Sequence, residues 1–596
     1  MTRNRSQHLV WLAVPLTFGV YFLTLSPAVG MIDSGELAAG CLLLNTLHST
    51  GYPLYTLLGR LASLVPLGTV FHRVAMLSAV PAALGVALLL LLGLRLGLSR
   101  PVAGAAALLL GFSFPVWSSA VDVELFGLTL LMVSLLWLLA ESAGSGRSLP
   151  VLAYVAGLAM TNHLTAASTV LGVALVVVLS YRKDLVRRLP ALALLLILGL
   201  SVYVFLVLRS RAGPLFPWGN PDNLERFWWT VTGREFQIRM FSLPFPAVVH
   251  NAVRGAALLA RSLVYVLVPV VFYGAVRLFR QRRNLAIGLI VATVLLFGYA
   301  VNYNIPDIKP YYIPCVFALI LLAAVGLEGL ISNVERRARS PVARTALRQA
   351  PWLLGIAALV LNFPVAGKQG DYVAHDYMMN MLTSAGQNAT IITNWRDLSG
   401  PMFYLQHAEH VRPDVCFIDK ELLREPWYLH YLERDYPWLV ERSRAEIEAY
   451  RPYVEQFVHG QIKNTAEIQR RYIALLESFV DRSPERPAYT TFDVTKRRGA
   501  DAGLMFVGVR RAPVGVLFQI RRDSVLPDFD YAKLVVRLPR NEPDSLTRAV
   551  LSVYRHFVIR RANALAEFGR PDEIPPLLAW YRSLPVARLA PLPDSS

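Results

Sequence analysis

Two carboxylates stand directly after the first long apolar stretch, Asp33 and Glu36 in Met31-Ile-Asp33-Ser-Gly-Glu36-Leu37. A polar turn follows, His48-Ser-Thr-Gly51-Tyr52-Pro53-Leu-Tyr55. If the acidic segment is helical, residues i and i+3 share a face. Ionisable groups at a membrane boundary are costly to place, so they mark function by default. A well-placed carboxylate offers general-base chemistry. The structural alternative is helix capping, for which Asp33 and Ser34 ahead of Glu36-Leu-Ala-Ala are good residues. His48, Tyr52 and Tyr55 either contact a phosphate or sugar, or anchor an interfacial segment at the headgroups.

Other polar groups interrupt apolar runs in the same manner. Asp122 and Glu124 flank the start of a span, and Glu124 lies deeper, where an unpaired carboxylate costs about 2.5–3.5 kcal/mol at a span centre and less near an edge. Asn162-His163 sits near the end of another span, as a helix-packing pair or as a cavity contact. Asn304-Ile-Pro306-Asp307-Ile-Lys309-Pro310-Tyr311-Tyr312 reads as a rigid turn, with an acid, a base and two tyrosines in nine residues. Arg209 and Arg211 end a span; a guanidinium fork suits phosphate, and snorkelling to headgroups is the alternative.

The elements that must hold these groups are membrane helices. The 596 residues are 55% hydrophobic and 17% charged, with a mean hydropathy of +0.43. The apolar residues come in long blocks up to about residue 366. The expected spans are about 9–27, 74–94, 102–120, 121–140, 150–164, 165–181, 189–208, 255–277, 285–302, 311–332 and 350–366, roughly eleven on a yardstick of about 20 residues per span. The first is expected as an uncleaved helix rather than a signal peptide. Alternation then puts the basic loops, Arg95 to Arg100, Arg147, Arg182 to Arg188, Arg277 to Arg283 and Glu335 to Arg348, on one face, which the positive-inside rule makes cytoplasmic. The opposite face receives Asp33, Glu36, His48, Asp122, Glu124, His163, Arg209, Arg211, Asp307 and everything after residue 366. The net charge of +18 is thus a topology signal and not a nucleic-acid one. Cys41, Cys315 and Cys416 are too few and too scattered for a disulfide framework or a metal site.

From 367 to 596 the pattern changes to a soluble α/β domain. Ala389-Thr-Ile-Ile-Thr393 and Asp414-Val-Cys-Phe-Ile-Asp419, separated by a helix near 398–407, predict a small parallel unit. Further helices are expected near 371–386, 443–457 and 464–482, strands near 487–494, 503–509 and 515–521, and two helices over 545–583.

Taken together, Asp33-Ser-Gly-Glu36-Leu, His48-x-x-Gly51-Tyr52-Pro53-Leu-Tyr55, Ser78-Ala79, Glu124, Asn162-His163, Asn304-x-x-Asp307, Ile391-Ile-Thr-Asn-Trp-Arg-Asp397 and Arg412-Pro-Asp414-Val resemble a membrane family long catalogued as a domain of unknown function. Its vertebrate members are protein O-mannosyltransferases of the endoplasmic reticulum, similar to the GT-C superfamily of polyprenyl-phosphate-sugar-dependent glycosyltransferases. In the family two prolines more often stand between the His and the Gly of the second motif, where this chain has Ser49-Thr50.

The resemblance implies a GT-C-like domain over 1–366 with a catalytic first external loop at 28–73, and Asp33 as the base of an inverting transfer. The donor is a polyprenyl-phosphate sugar, mannose in the first instance. The acceptor is a hydroxyl of a protein Ser or Thr, or else of an envelope glycan or lipid. Glu36, His48, Tyr52, Tyr55, Asp122, Glu124, Asn162, His163, Asp307 and Tyr311 are the expected substrate contacts. Arg209, Arg211 and Lys309 are the expected phosphate contacts. No phosphate-cradling glycine loop is present, so no nucleotide cofactor is expected; the carboxylates admit a divalent metal, though no ligand spacing argues for one. The expected partners are the lipid-linked donor, a protein or glycan acceptor and membrane lipids. The expected location is a bacterial inner membrane with 367–596 in the periplasm. The competing classes are a lipid flippase or transporter, which calls for polar groups through the midplane and two related halves, and a receptor scaffold, for which so many spans are excessive.

Overall fold

A computed structural model describes residues 2–142, 146–181, 183–461, 464–492, 506 and 508–592. Its contacts divide the chain into two compact units. The first comprises Met1–Leu25, His48–Leu208 and Asp222–Gln369; the second comprises Ser26–Leu47, Arg209–Pro221 and Gly370–Ser596.

The first unit is a bundle of apolar helices. Val70–Arg95, Leu185–Arg211, Arg283–Val301, Lys309–Arg337 and Pro341–Ala366 are long and apolar enough to cross a bilayer; at about 1.5 Å per residue even the shortest reaches roughly 29 Å. Leu12–Leu23, Phe126–Glu141, Leu149–Asn162 and Ala166–Tyr181 are shorter apolar helices. The protein is therefore a multi-pass membrane protein.

Two expected spans are broken. The stretch 102–120 is a pair, Arg100–Gly111 and Phe114–Ala120, bent by 60° where Pro115 enters the second helix. The stretch 255–277 belongs to two helices, Phe245–Ser262 and Val268–Gln281. Between them Val264 and Tyr265 take φ of 51° and 59°, left-handed values that a β-branched and an aromatic residue do not announce in a sequence.

Close helix approach in this unit runs through glycine. A Cβ on Gly172 would lie 2.6 Å from the Gly288 carbonyl oxygen, and one on Gly157 would lie 2.3 Å from that of Leu196. Small residues let membrane helices pack at this range.

The bundle has two distinct ends. At one, Arg95 Nη1 donates to Ser142 Oγ at 3.0 Å, Asn284 Nδ2 donates to Ser180 Oγ at 3.1 Å, and Ser99 N donates to Glu328 at 2.8 Å. The basic loops expected to share a face do meet there. At the other end Trp117 Nε1 donates to Thr24 Oγ1 at 2.9 Å, and Lys368 N donates to Thr24 O at 2.9 Å.

The second unit holds a five-stranded sheet: β1 (Thr390–Thr393), β2 (Cys416–Asp419), β3 (Ala488–Thr491), β4 (Arg510–Val514) and β5 (Leu517–Arg521), in the order β2-β1-β3-β5-β4. β1 runs parallel to β2, with Thr390 opposite Cys416, and parallel to β3; β5 is antiparallel to β3 and to β4. Every residue of β1, β2 and β3 is buried, as expected of strands covered on both faces. The parallel unit therefore forms as the alternating pattern predicts, with the helix Ser399–His407 as its crossover. The expected strand near 503–509 falls largely outside the described residues, and the observed strand begins at Arg510. Val373–Ser384, Arg444–Val458, Thr465–Asp481, Ser545–Glu567 and Ile574–Ser583 are helical. Pro426–Asp435 and Pro437–Arg442 add two helices that the sequence reading left out.

Candidate active site

Asp33 is the first residue of the helix Asp33–Leu43, so Asp33 and Glu36 do share a helical face. Capping is done differently from the sequence expectation. The cap position is Ile32, which makes no side-chain cap bond; its N–H donates to Asp397 O at 3.1 Å, and Ser34 Oγ accepts from Gly30 N at 2.9 Å. The carboxylates are thus not consumed as N-caps. Asp33 is half-buried at the positive end of the helix dipole, while Glu36 is buried.

Three features fix this helix within the second unit. Gly35 rests on the backbone of Gly400 and Pro401: a Cβ there would lie 2.3 Å from the Gly400 oxygen and 2.5 Å from the Pro401 nitrogen. Gly400 returns the contact, with Ile32 O at 2.4 Å from its own notional Cβ. At the far end Arg209 Nε donates to Leu44 O at 2.5 Å and Nη2 donates to Leu43 O at 3.2 Å. A guanidinium placed on the last carbonyls satisfies groups that every helix C-terminus leaves open. Arg209, expected at a phosphate, is therefore a clasp on the helix; Arg211 is exposed.

The surface that receives Asp33–Leu43 is the loop at the carboxyl end of β1, Asn394-Trp-Arg-Asp-Leu-Ser-Gly400. In open α/β sheets ligands gather outside the carboxyl ends of the strands. Trp395 Nε1 donates to Asp397 Oδ2 at 3.0 Å, and the Arg396 guanidinium lies 4.8 Å from the Trp218 ring centre. Beside the loop, at the end of β2, Asp419 is fully buried. Ser399 Oγ donates to its Oδ2 at 2.5 Å and Glu421 N to its Oδ1 at 2.8 Å. Burial pushes this carboxyl up to about 6, against the opposing pull of those two hydrogen bonds and of Arg396. Arg396, Asp397 and Asp419 extend the expected set; the run Thr393-Asn-Trp-Arg-Asp397 is the visible signal for the first two, and Asp419 ends the expected strand Asp414-Val-Cys-Phe-Ile-Asp419.

The first unit gathers a different group. A cavity of about 330 Å³ is lined by Tyr52, His163, Tyr311, Tyr303, Tyr299 and Phe236, among others. Tyr52 Oη lies 3.0 Å from His48 Nε2 and donates to Ser49 O at 3.0 Å. The Tyr52 and His163 rings stack at 5.7 Å, and His163 meets Tyr311 edge-on at 5.1 Å. His163 Nδ1 accepts from Thr165 N at 3.2 Å, which leaves Nε2 to carry the proton of the neutral ring. The polar turn is shaped by Gly51, φ 85°, where a Cβ would meet Leu206 at 2.7 Å. Four expected residues, His48, Tyr52, His163 and Tyr311, thus form one aromatic group.

The remaining expected residues have other surroundings. Asp122 is buried and paired with Lys368 Nζ at 2.5 Å. Lys368 was not anticipated, although it is the only Lys or Arg between Arg348 and Arg396. Glu124 uses its main chain to exchange hydrogen bonds with Ser78 Oγ at 2.9 Å. Asn162 Nδ2 donates to Thr129 Oγ1 at 2.9 Å and to Leu125 O at 3.3 Å, a packing role. Tyr55 is fully buried. Asp307 is exposed, and Lys309 Nζ lies 5.1 Å from the Phe114 ring centre.

Residues 33–186 match the family model of the protein O-mannosyl-transferase TMEM260 N-terminal domain, and residues 374–493 match that of TMEM260-associated domain 2. The first match begins at Asp33, and the second contains the loop that receives its helix. The chain is 28% identical to the protein O-mannosyl-transferase TMEM260 of Mus musculus over 452 residues, 70% of this chain and 63% of that one. It is 22% identical to the Dictyostelium discoideum protein of the same name over 495 residues, 73% of this chain and 59% of that one. The alignments thus span less than two thirds of both relatives. Among solved structures, ArnT from Cupriavidus metallidurans in the apo state aligns with a TM-score of 0.49 and 13% identity, over 91% of this chain and all of that one. The chain is related to the TMEM260-type protein O-mannosyl-transferases.

Proposed function

We propose that this chain is a membrane glycosyltransferase of the GT-C type that moves a sugar from a polyprenyl-phosphate donor to a hydroxyl acceptor. In its most specific form the sugar is mannose, the acceptor is a protein Ser or Thr, and transfer takes place on the periplasmic side of a bacterial inner membrane. The observation that carries the reading is the immobilised Asp33: a half-buried acid at a helix N-terminus, held on the strand-end loop of an α/β sheet, at the first residue matched by the O-mannosyl-transferase model.

In the proposed reaction Asp33 accepts the proton of the acceptor hydroxyl. The hydroxyl oxygen forms a bond to the anomeric carbon as the bond from that carbon to the phosphate oxygen breaks, with inversion. The polyprenyl phosphate leaves with the bonding pair. Arg211 is assigned to the leaving phosphate, since charge developing in a transition state is best met by preplaced cations, while Arg209 positions the helix. The tyrosine-lined cavity of the transmembrane unit is assigned to the apolar part of the donor. The donor is the lipid-linked sugar itself, and no nucleotide takes part.

The test is Asp33→Asn in membranes supplied with polyprenyl-phosphate mannose and a Ser/Thr-rich acceptor peptide. Loss of a general base lowers turnover by about 10²–10⁴-fold, so a fall of that size with donor binding retained is expected. Wild-type turnover in the variant would remove Asp33 from the reaction. Sugar found on a glycan or lipid, and not on the peptide, would replace the acceptor while keeping the transfer.

A further inference from the structure

We propose that the cavity at the basic end of the transmembrane unit binds the headgroup of an anionic phospholipid. The cavity has a volume of about 240 Å³ and is lined by Gly97, Arg277, Gln281, Arg282 and Glu328, with apolar neighbours. It lies where the helices Val70–Arg95 and Val268–Gln281 end, beside the continuous helix Ile313–Arg337. Its lining therefore joins two of the basic loops that the sequence places on one face.

The charges in this cavity are not balanced against each other. Glu328 is its one carboxylate, and Glu328 Oε2 already accepts from Ser99 N at 2.8 Å and from Ser99 Oγ at 2.7 Å. Arg277 is half-buried and takes part in no ion pair among the described residues. Arg282 approaches Glu141 only to 4.0 Å. A guanidinium at membrane depth is costly without a counter-charge, and its planar fork matches two phosphate oxygens. The cavity thus offers two guanidiniums to a phosphate and nothing of equal strength to a cation.

A lipid is favoured over a soluble anion by what flanks the cavity. On the helix that carries Arg277, Phe272, Tyr273, Val276 and Phe279 are exposed, as are Leu330 and Val334 on the helix that carries Glu328. Acyl chains have an apolar surface to follow directly from the phosphate position. Basic pockets between membrane helices at a headgroup level bind anionic lipids, and each basic residue contributes roughly a fivefold gain in retention.

The experiment uses the full chain, purified in detergent and exchanged into nanodiscs of phosphatidylglycerol, of phosphatidylcholine or of their mixture, with retained lipid counted by native mass spectrometry. The expected result is one phosphatidylglycerol retained in preference to phosphatidylcholine. The preference falls about fivefold in Arg277→Ala and in Arg282→Ala, and is unchanged in Arg280→Ala, an exposed neighbour outside the cavity. Thermal melting checks that each variant is folded; if Arg277→Ala does not fold, Arg282→Ala carries the test. Equal retention of the two lipids, or an equal loss in Arg280→Ala, overturns the proposal. Displacement of the lipid by millimolar inorganic phosphate overturns the lipid source and assigns the cavity to a soluble anion.

Discussion

Gly35→Ala tests whether the seat of the Asp33 helix matters to the proposed transfer. The added methyl would stand 2.3 Å from the Gly400 oxygen, where ordinary contact begins at 3.4 Å. The deficit is about 1.1 Å. Both sides of the contact are main chain, so no side chain can rotate away, and the helix must lift by about that distance or the loop must. Overpacking of this kind costs about 1–3 kcal/mol. The larger effect falls on chemistry, because a misplacement of about 1 Å at a reacting group costs on the order of 10²-fold in rate. The assay is sugar transfer in membranes, with kcat and KM separated, beside the melting temperature of the purified chain. The expected outcome is a kcat lower by about two orders of magnitude, with donor KM little changed. Gly19→Ala is the control, since nothing lies within 4 Å of its Cβ position, and it should behave as wild type. A Gly35→Ala protein with wild-type kcat would refute the argument that the backbone contact sets the position of Asp33.

Two further outcomes follow from the same unit. Arg209→Ala removes charged hydrogen bonds to Leu43 O and Leu44 O, each worth about 1.5–3 kcal/mol; melting temperature and kcat should fall together, whereas a rise in donor KM alone would return Arg209 to the phosphate. Asp419 has its carboxyl raised to about 6 by burial, so between about pH 4, the ordinary value, and pH 6 the native state holds more protons than the unfolded one. Stability from this group is therefore full below pH 4 and lost as pH rises to 6, a difference of about 3 kcal/mol. Asp419→Asn should flatten that part of the melting profile, and a variant that keeps the wild-type slope from pH 4 to 6 would show the acid to be ordinary. Asp414, held near 2 by Arg412, has the opposite sign and contributes only to loss of stability below about pH 4.

What the residues announced, and what they did not, divides along sequence separation. The acids at 33 and 36 and the strands at 390 and 416 were visible because helix and strand periods are local. The Gly35–Gly400 contact was not, because each glycine alone reads only as a helix or turn residue, and nothing in either neighbourhood names the other. Arg209 was read by its charge, but its donors are used by carbonyls from a segment about 165 residues earlier. Lys368 lies just beyond the last expected span, although its isolation among 47 residues without another Lys or Arg is a signal. The break at Val264–Tyr265 was hidden because two apolar residues took the backbone values that glycine usually takes.

The second unit is assembled from three separated stretches of chain, and this has a consequence in time. Ser26–Leu47 leaves the ribosome early, yet Gly400, on which it rests, is made about 350 residues later. At about 5–20 residues per second that is an interval of roughly 20–70 s. Throughout it the acid-bearing helix has no floor, and Arg209, about 165 residues further on, reaches its last carbonyls only partway through. A nascent chain thus carries the proposed base unmounted, and the seating of Asp33 is deferred until the carboxyl-terminal half arrives.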